Sequence, residues 1–449
     1  MITKPNLKSK NAFQMKSMQK HLKESQWFST KKINQIQLNQ LKRLLKFASE
    51  SVPYYKNSND KKLLNIASFD DFKKLPLLTR SDVQKEGGNL NSTNLPKNQV
   101  CTSSVVSSGS TGRPVRVNVT NFTQFNWHAF TLFEHLWHGR ELKSKLAIIR
   151  RIMSDGIAMP PEGKYINSWG PSTDILYDTG PSVVLNIRAS IDEQIEWLIR
   201  EEPSVLLTYP SNLYALAKRF IEMGISLKKL KDLRTFGEVV TESTRKICND
   251  AWGLKINDIY SSQEVGYIAF QCPENNTYHV QPENVLVEIL NDDGQDCLPG
   301  EIGKVVITAL HNYATPLIRY VLGDYAEVGS ECRCGRKTQS LNRILGRSRN
   351  MMVLPNGKIK WPLIGTIFDG SETYTTVQQY QVVQKKPDKI EVLIVVPEKL
   401  NNSDEALLKN RIQTSLGHPF NIDIVYTDKI ERSKGGKYED FISEVNCRM

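Results

Sequence analysis

The chain has 449 residues, long for one hydrophobic core, so two or more domains are expected. Lys plus Arg exceeds Asp plus Glu by 59 − 48 = 11, and residues 1–50 hold eleven of the basic side chains against Glu24 and Glu50. The rest of the chain is nearly balanced, so the excess reads either as a solvated helical face or as a basic arm for an anionic partner. Aromatic and basic residues are not interleaved as in single-strand binders, and no nucleic-acid partner is expected. No apolar run approaches the ~20 residues of a membrane span, and the N-terminus lacks the apolar stretch of a signal peptide. A cytoplasmic location follows as an expectation, and there seven cysteines argue against a disulfide framework.

Residues 12–50 have helical spacing, with Leu38, Leu41, Leu44 and Leu45 on one stripe, so residues 1–60 are read as a basic helical arm. SVPYYKN and LPLLTRSDVQKEG follow, with Thr79 or Ser81 placed to cap a short helix. Residues 103–120, SSVVSSGSTGRPVRVNVT, read as strand, loop, strand. In that loop Gly109 and Gly112 let the backbone amides point inward, while Ser107, Ser108, Ser110 and Thr111 offer hydroxyls. Such a loop can hold a polyphosphate, although its glycines are not spaced as in a Walker loop; a solvated hairpin is the alternative.

A helix is expected over residues 121–138, with Phe122, Phe125, Trp127, Phe130, Phe133 and Trp137 mostly in the core and one or two left for a substrate pocket. From about 145 to 310, short apolar runs such as LAIIR and VLLTYP alternate with amphipathic helices, the mark of an α/β sheet with crossover helices. LRTFGEVV ends a buried strand in a Gly-Glu turn, INDIYSSQEVGY runs a strand into Tyr260-Ser261-Ser262-Gln263-Glu264, and residues 284–330 turn to hairpins. The pattern breaks at Gly346-Arg347-Ser348-Arg349-Asn350, which puts a boundary between a large domain, 1–346, and a small α/β domain, 347–449.

Taken in this order, the pieces resemble the adenylate-forming enzymes, and within them the phenylacetate-CoA ligase-like group that includes CapK proteins of capsular polysaccharide synthesis. The resemblance runs from SVPYY to GGKYEDF. It implies a large α/β domain with a β-rich part and a mobile C-terminal α/β domain. It also implies that SSGSTGRP embraces the β and γ phosphates of ATP and that Gly237, Glu238 and Val239 line the adenine. Tyr260 and Ser261 would lie on the adenine side and Glu264 would ligate Mg²⁺. Asp324, in RYVLGD, would accept bonds from the ribose hydroxyls, and Arg347, beside the pivot, would also bind the nucleotide. Lys437 would bridge the attacking carboxylate and the α-phosphate. Attack of one anion on another needs such a metal and a mobile ammonium, which is why these residue types fit the chemistry.

Two departures stand out: Arg349-Asn350 stands where Asp or Lys followed by Asp is usual at the pivot, and Ser261 stands where glycine is common. The implied reaction joins a small carboxylic acid to coenzyme A, with an amine or amino sugar as the alternative acceptor and a silent nucleotide-binding protein as the alternative of another class.

Cys272 and His279 in FQCPENNTYHV, with Cys332 and Cys334 in ECRCGR, make a set that Zn²⁺ favours; buried free thiols are the other reading. Some relatives in the group that the chain resembles hold zinc at matching positions, which favours the metal. Cys101, Cys248, Cys297 and Cys447 are scattered and read as packing residues.

Overall fold

A computed structural model describes residues 9–57, 66–106, 115–152, 156–347, 350–360, 362, 377–432 and 437–445. Outside these lie the loop residues Ser107, Ser108, Gly109, Ser110, Thr111 and Gly112, the turn residues Ser348 and Arg349, and Cys447. Its centre is a twelve-stranded mixed sheet. The strands Leu146–Arg150, Ser182–Asn186, Val205–Thr208, Asp232–Phe236 and Ile256–Ser262 pair in parallel, and the helices Ile191–Glu201, Pro210–Glu222 and Glu242–Trp252 make the crossovers. Parallel strands bury both faces, and Ser182–Asn186, SVVLN, is buried at every position. From Ile256–Ser262 the sheet turns antiparallel through Gly266–Gln271, Tyr278–Val280, Ser340–Arg347, Tyr320–Val328, Ile302–Ala309 and Val285–Leu290.

The N-terminal helices Lys10–Ser25 and Thr30–Ser51 are not a detached arm. Leu41, Leu44, Leu45 and Ala48 are buried in the core under the antiparallel half of the sheet, and Ala12, Met15 and Leu22 pack against the helix Asn121–Trp137 and its neighbours. Lys16, Lys20, Lys31, Lys42 and Lys46 stay exposed, so the basic excess lies on a solvated helical face. Phe130, Phe133 and Trp137 are core, whereas Trp127 stays partly exposed against Tyr267, with ring centroids 4.7 Å apart.

The large sheet ends at Arg347, whose register partner is Asp324. Met352 and Leu354 already belong to a separate core built around the four-stranded sheet Gln379–Lys386, Lys389–Val395, Asn421–Tyr426 and Phe441–Ser443 and the helix Asn402–Leu416. Gly346, at φ +87°, sits just before this change of core, in backbone space that glycine enters without strain. One cysteine assignment fails: Cys101 is exposed, because its strand Cys101–Val106 pairs on one side only, with Arg116–Thr120, and is open along almost its whole length. Cys248 and Cys297 are buried.

Candidate active site

Among the described residues, those expected on the nucleotide side come from four separate segments and meet near the ends of strands Asp232–Phe236 and Ile256–Ser262. Tyr260 is buried and donates its hydroxyl to Asp324 Oδ2 at 2.9 Å, across 64 residues of sequence. Burial and then the Asp324 charge hold the Tyr260 hydroxyl well above the usual phenol range, so it stays a donor. Arg347 Nε approaches the other oxygen, Asp324 Oδ1, at 3.6 Å. The strand pairing shifts register between Tyr260 and Ser261, and Ser261 keeps a negative φ, so serine is accommodated where glycine is common in the group.

Glu264 is buried and Arg80 Nη1 lies 3.9 Å from its Oε1. Arg80 opens the helix Arg80–Glu86, where Thr79 and Asp82 form a capping box. The segment before that helix is tied to the sheet: Leu78 N donates to Arg319 O and Val321 N to Leu78 O, both at 2.9 Å. Capping was legible as a sequence pattern; which way the next side chain points was not.

Gly237 ends its strand at φ +80°, and Lys437 lies against it. A Cβ on Gly237 would stand 3.5 Å from Lys437 Cε and 3.8 Å from its Nζ. The lysine is thus seated in the Gly-Glu turn from the opposite end of the chain. Desolvation and then Arg347 pull the Lys437 ammonium below the usual lysine range, while Asp324, Glu238 and Glu264 pull it back. Val239 is partly exposed and packs toward Gly346.

Glu238 does more than line a turn. Its carboxylate is buried and accepts from the Ser211 amide at 3.0 Å and from the Tyr438 amide at 2.6 Å, and Arg432 Nη1 lies 3.5 Å away. The bond to Ser211 also supplies an anionic cap to the helix Pro210–Glu222, whose own N-cap, Tyr209, makes no side-chain cap.

Away from this cluster, Cys272, His279, Cys332 and Cys334 converge, with all four ligand atoms within 4.8 Å of one another. Cys332 Sγ is 3.9 Å from Cys272 Sγ, and Cys334 Sγ is 3.3 Å from His279 Nε2. A tetrahedral zinc with bonds near 2.3 Å would set its sulfurs roughly 3.8 Å apart, so the donor set fits that ion. His279 Nδ1 meets Thr338 Oγ1 at 3.1 Å and Asn275 Nδ2 donates to Cys332 Sγ at 3.1 Å, outer contacts of the kind that orient ligands. Burial pulls the His279 imidazole down to about 4, the neutral form that binds metal, and pushes the Cys272 thiol up to about 12, a cost that a bound cation would reverse.

Residues 355–444 match the CapK C-terminal domain family. A phenylacetate-coenzyme A ligase of Thermus thermophilus is 24% identical over 447 residues, covering 90% of this chain and 95% of that protein. Protein CapK of Staphylococcus aureus is 23% identical, covering 56% of this chain and 55% of its own length. Over most of its length the chain is thus similar to phenylacetate-coenzyme A ligases, and in its C-terminal part to the CapK C-terminal domain. In fold, the chain is similar to 2-hydroxyisobutyryl-CoA ligase in its postadenylation state with R3-HIB-AMP, with a TM-score of 0.73 at 17% identity, covering 93% of this chain and 91% of that one. Against the same enzyme with 2-HIB-AMP and CoA in the thioesterification state the TM-score is 0.58 at 18% identity, again over 93% of this chain and 91% of the other. Among the described residues, no helix is long and apolar enough to cross a membrane.

Proposed function

We propose that the protein is an ATP-dependent, AMP-forming ligase that activates a small carboxylic acid as its acyl-adenylate and passes the acyl group to coenzyme A. One observation carries the reading: Lys437, from the C-terminal domain, is seated against Gly237 beside the Tyr260 and Asp324 pair. A protein that only bound nucleotide would have no use for an ammonium delivered there from a second domain. In the first half-reaction a carboxylate oxygen attacks the α-phosphorus, an acyl O–P bond forms, and the bond to the leaving pyrophosphate breaks. Lys437 places positive charge between the two anions as they meet. Asp324, oriented by Tyr260 and Arg347, offers its carboxylate to the ribose hydroxyls. Glu264 would hold Mg²⁺, which when bound offsets the phosphate charge.

In the second half-reaction the thiol of coenzyme A loses its proton and displaces AMP, forming the thioester. Lys437 and a second nucleophile cannot share one position, so the C-terminal domain must rotate about the segment after Gly346 between the two steps. The higher similarity to the postadenylation state than to the thioesterification state supports placing the present arrangement on the adenylation side.

Acid-dependent exchange of pyrophosphate into ATP, run over a panel of aryl and short alkyl acids, tests the reading. At least one acid should drive exchange, and adding coenzyme A should then yield a thioester and AMP. A panel without exchange would overturn the ligase reading; transfer to amines and not to coenzyme A would overturn the acceptor. Within the same assay Glu264→Gln should lower the rate and raise the Mg²⁺ needed for half-maximal exchange, because an amide replaces a carboxylate ligand. An unchanged Mg²⁺ dependence would remove Glu264 from the metal site.

A further inference from the structure

Lys437 must be brought to one spot and later withdrawn, and something on the large domain has to define that spot. Two residues that flank the sequence just before and after Lys437 meet the same buried carboxylate: Arg432 and the Tyr438 amide both address Glu238 Oε1. Arg432 Nη1 also donates to Ser211 Oγ at 2.9 Å, so the guanidinium is bound both to Glu238 and to a residue that Glu238 itself holds. An ammonium on a four-carbon stem loses much entropy when it is fixed, and that cost falls if its neighbours are already anchored.

We propose that the Glu238 carboxylate is a positioning residue: it captures Arg432 and the Tyr438 amide and so seats Lys437 for adenylation, and its release accompanies the withdrawal of the lysine. This rests on the ligase reading above, and it gives Glu238 a role through its side chain rather than through the backbone beside adenine. Charge-assisted bonds that are desolvated are strong, and each forms only when the two domains are together in this arrangement. Burial pushes the Glu238 carboxyl above its usual range, and Arg432 and the Tyr438 and Ser211 amides pull it back. The ionised form is therefore favoured by the very partners that it captures. Lys218 Nζ donates to Val377 O at 2.6 Å as a second cross-domain contact, further along the helix that starts at Pro210.

The test uses the full-length chain with Glu238→Gln and Arg432→Ala, singly and together, in three measurements. Pyrophosphate exchange reads adenylation, supplied acyl-adenylate plus coenzyme A reads transfer, and hydrogen exchange at the Tyr438 amide reads the latch with no acid or activity required. Glu238→Gln is expected to slow adenylation by about tenfold or more, to leave transfer within about twofold, and to speed exchange at Tyr438. Arg432→Ala should show the same split, and the double variant should be little worse than Glu238→Gln because both act on one contact. A carboxylate that served only to cap the helix at Pro210 would lower the melting temperature and slow both half-reactions together; that result overturns the proposal. So does Tyr438 exchange unchanged by either substitution. If no acid drives exchange in the unaltered protein, the ligase reading fails by itself, while the Tyr438 measurement still decides the latch.

Discussion

Lys437→Ala is expected to reduce acid-dependent pyrophosphate exchange by about 10³-fold while ATP affinity changes by no more than about threefold. The reason is where the ammonium acts. It rests against Gly237, beside the turn, and its charge matters most when a carboxylate oxygen and the α-phosphate are forced together. Transfer from supplied acyl-adenylate should survive, since that step needs the lysine out of the way. A pH signature accompanies the loss. Desolvation and then Arg347 depress the Lys437 ammonium in the nucleotide-free site, and only its protonated form can bridge the anions. Adenylation should therefore fall as pH rises through a value below that of an ordinary lysine. Bound ATP adds negative charge and favours the ammonium, so the alkaline limb should lie at higher pH in kcat than in kcat/KM. Comparable losses in ATP affinity and in rate, or a limb that persists in Lys437→Ala, would show that another group carries the charge.

Motif order brought residues of distant segments into one expected site. Tyr260 and Asp324 are 64 residues apart and could be paired only by the order of short, individually weak patterns, and the hydroxyl-to-carboxylate bond joins them. The helical period of residues 12–50 likewise placed the leucine stripe inside and the lysines outside. Glu238 shows where such reading stops. Its strand and turn were visible, but its carboxylate meets residues 194 and 200 positions away, and nothing in the local pattern says that a turn glutamate turns inward. Arg80 was missed for a related reason: a cap shows where a helix starts and not what its first side chain faces. Cys101 was misjudged because residue type was taken for burial, whereas a two-stranded ribbon has no second layer to bury its open face.

Purified protein is expected to contain about one Zn²⁺ per chain, and Cys332→Ser or Cys334→Ser to lose it and to melt about 5 °C or more below the unaltered protein. Cys272 and His279 flank the connection between strands Gly266–Gln271 and Tyr278–Val280, while Cys332 and Cys334 lie between Tyr320–Val328 and Ser340–Arg347. A metal there would pin two connections of the antiparallel half of the sheet, and those connections hold more than each other. Arg336, two residues beyond Cys334, lies between Trp27 and Trp137 at 4.6 and 4.2 Å from their ring centroids and donates to Gln26 Oε1 at 2.7 Å. That stack docks the turn between the two N-terminal helices. Removing a ligand should thus raise proteolytic cleavage near Trp27 as well as lower the melting temperature, a readout that a lone cavity at a thiol would not give. Adenylation should be affected only through stability, since the four ligands are separate from the Tyr260, Asp324 and Lys437 cluster. Metal-free protein, with thiols that react as free cysteines and with melting unaltered by either substitution, would return the four residues to ordinary buried packing.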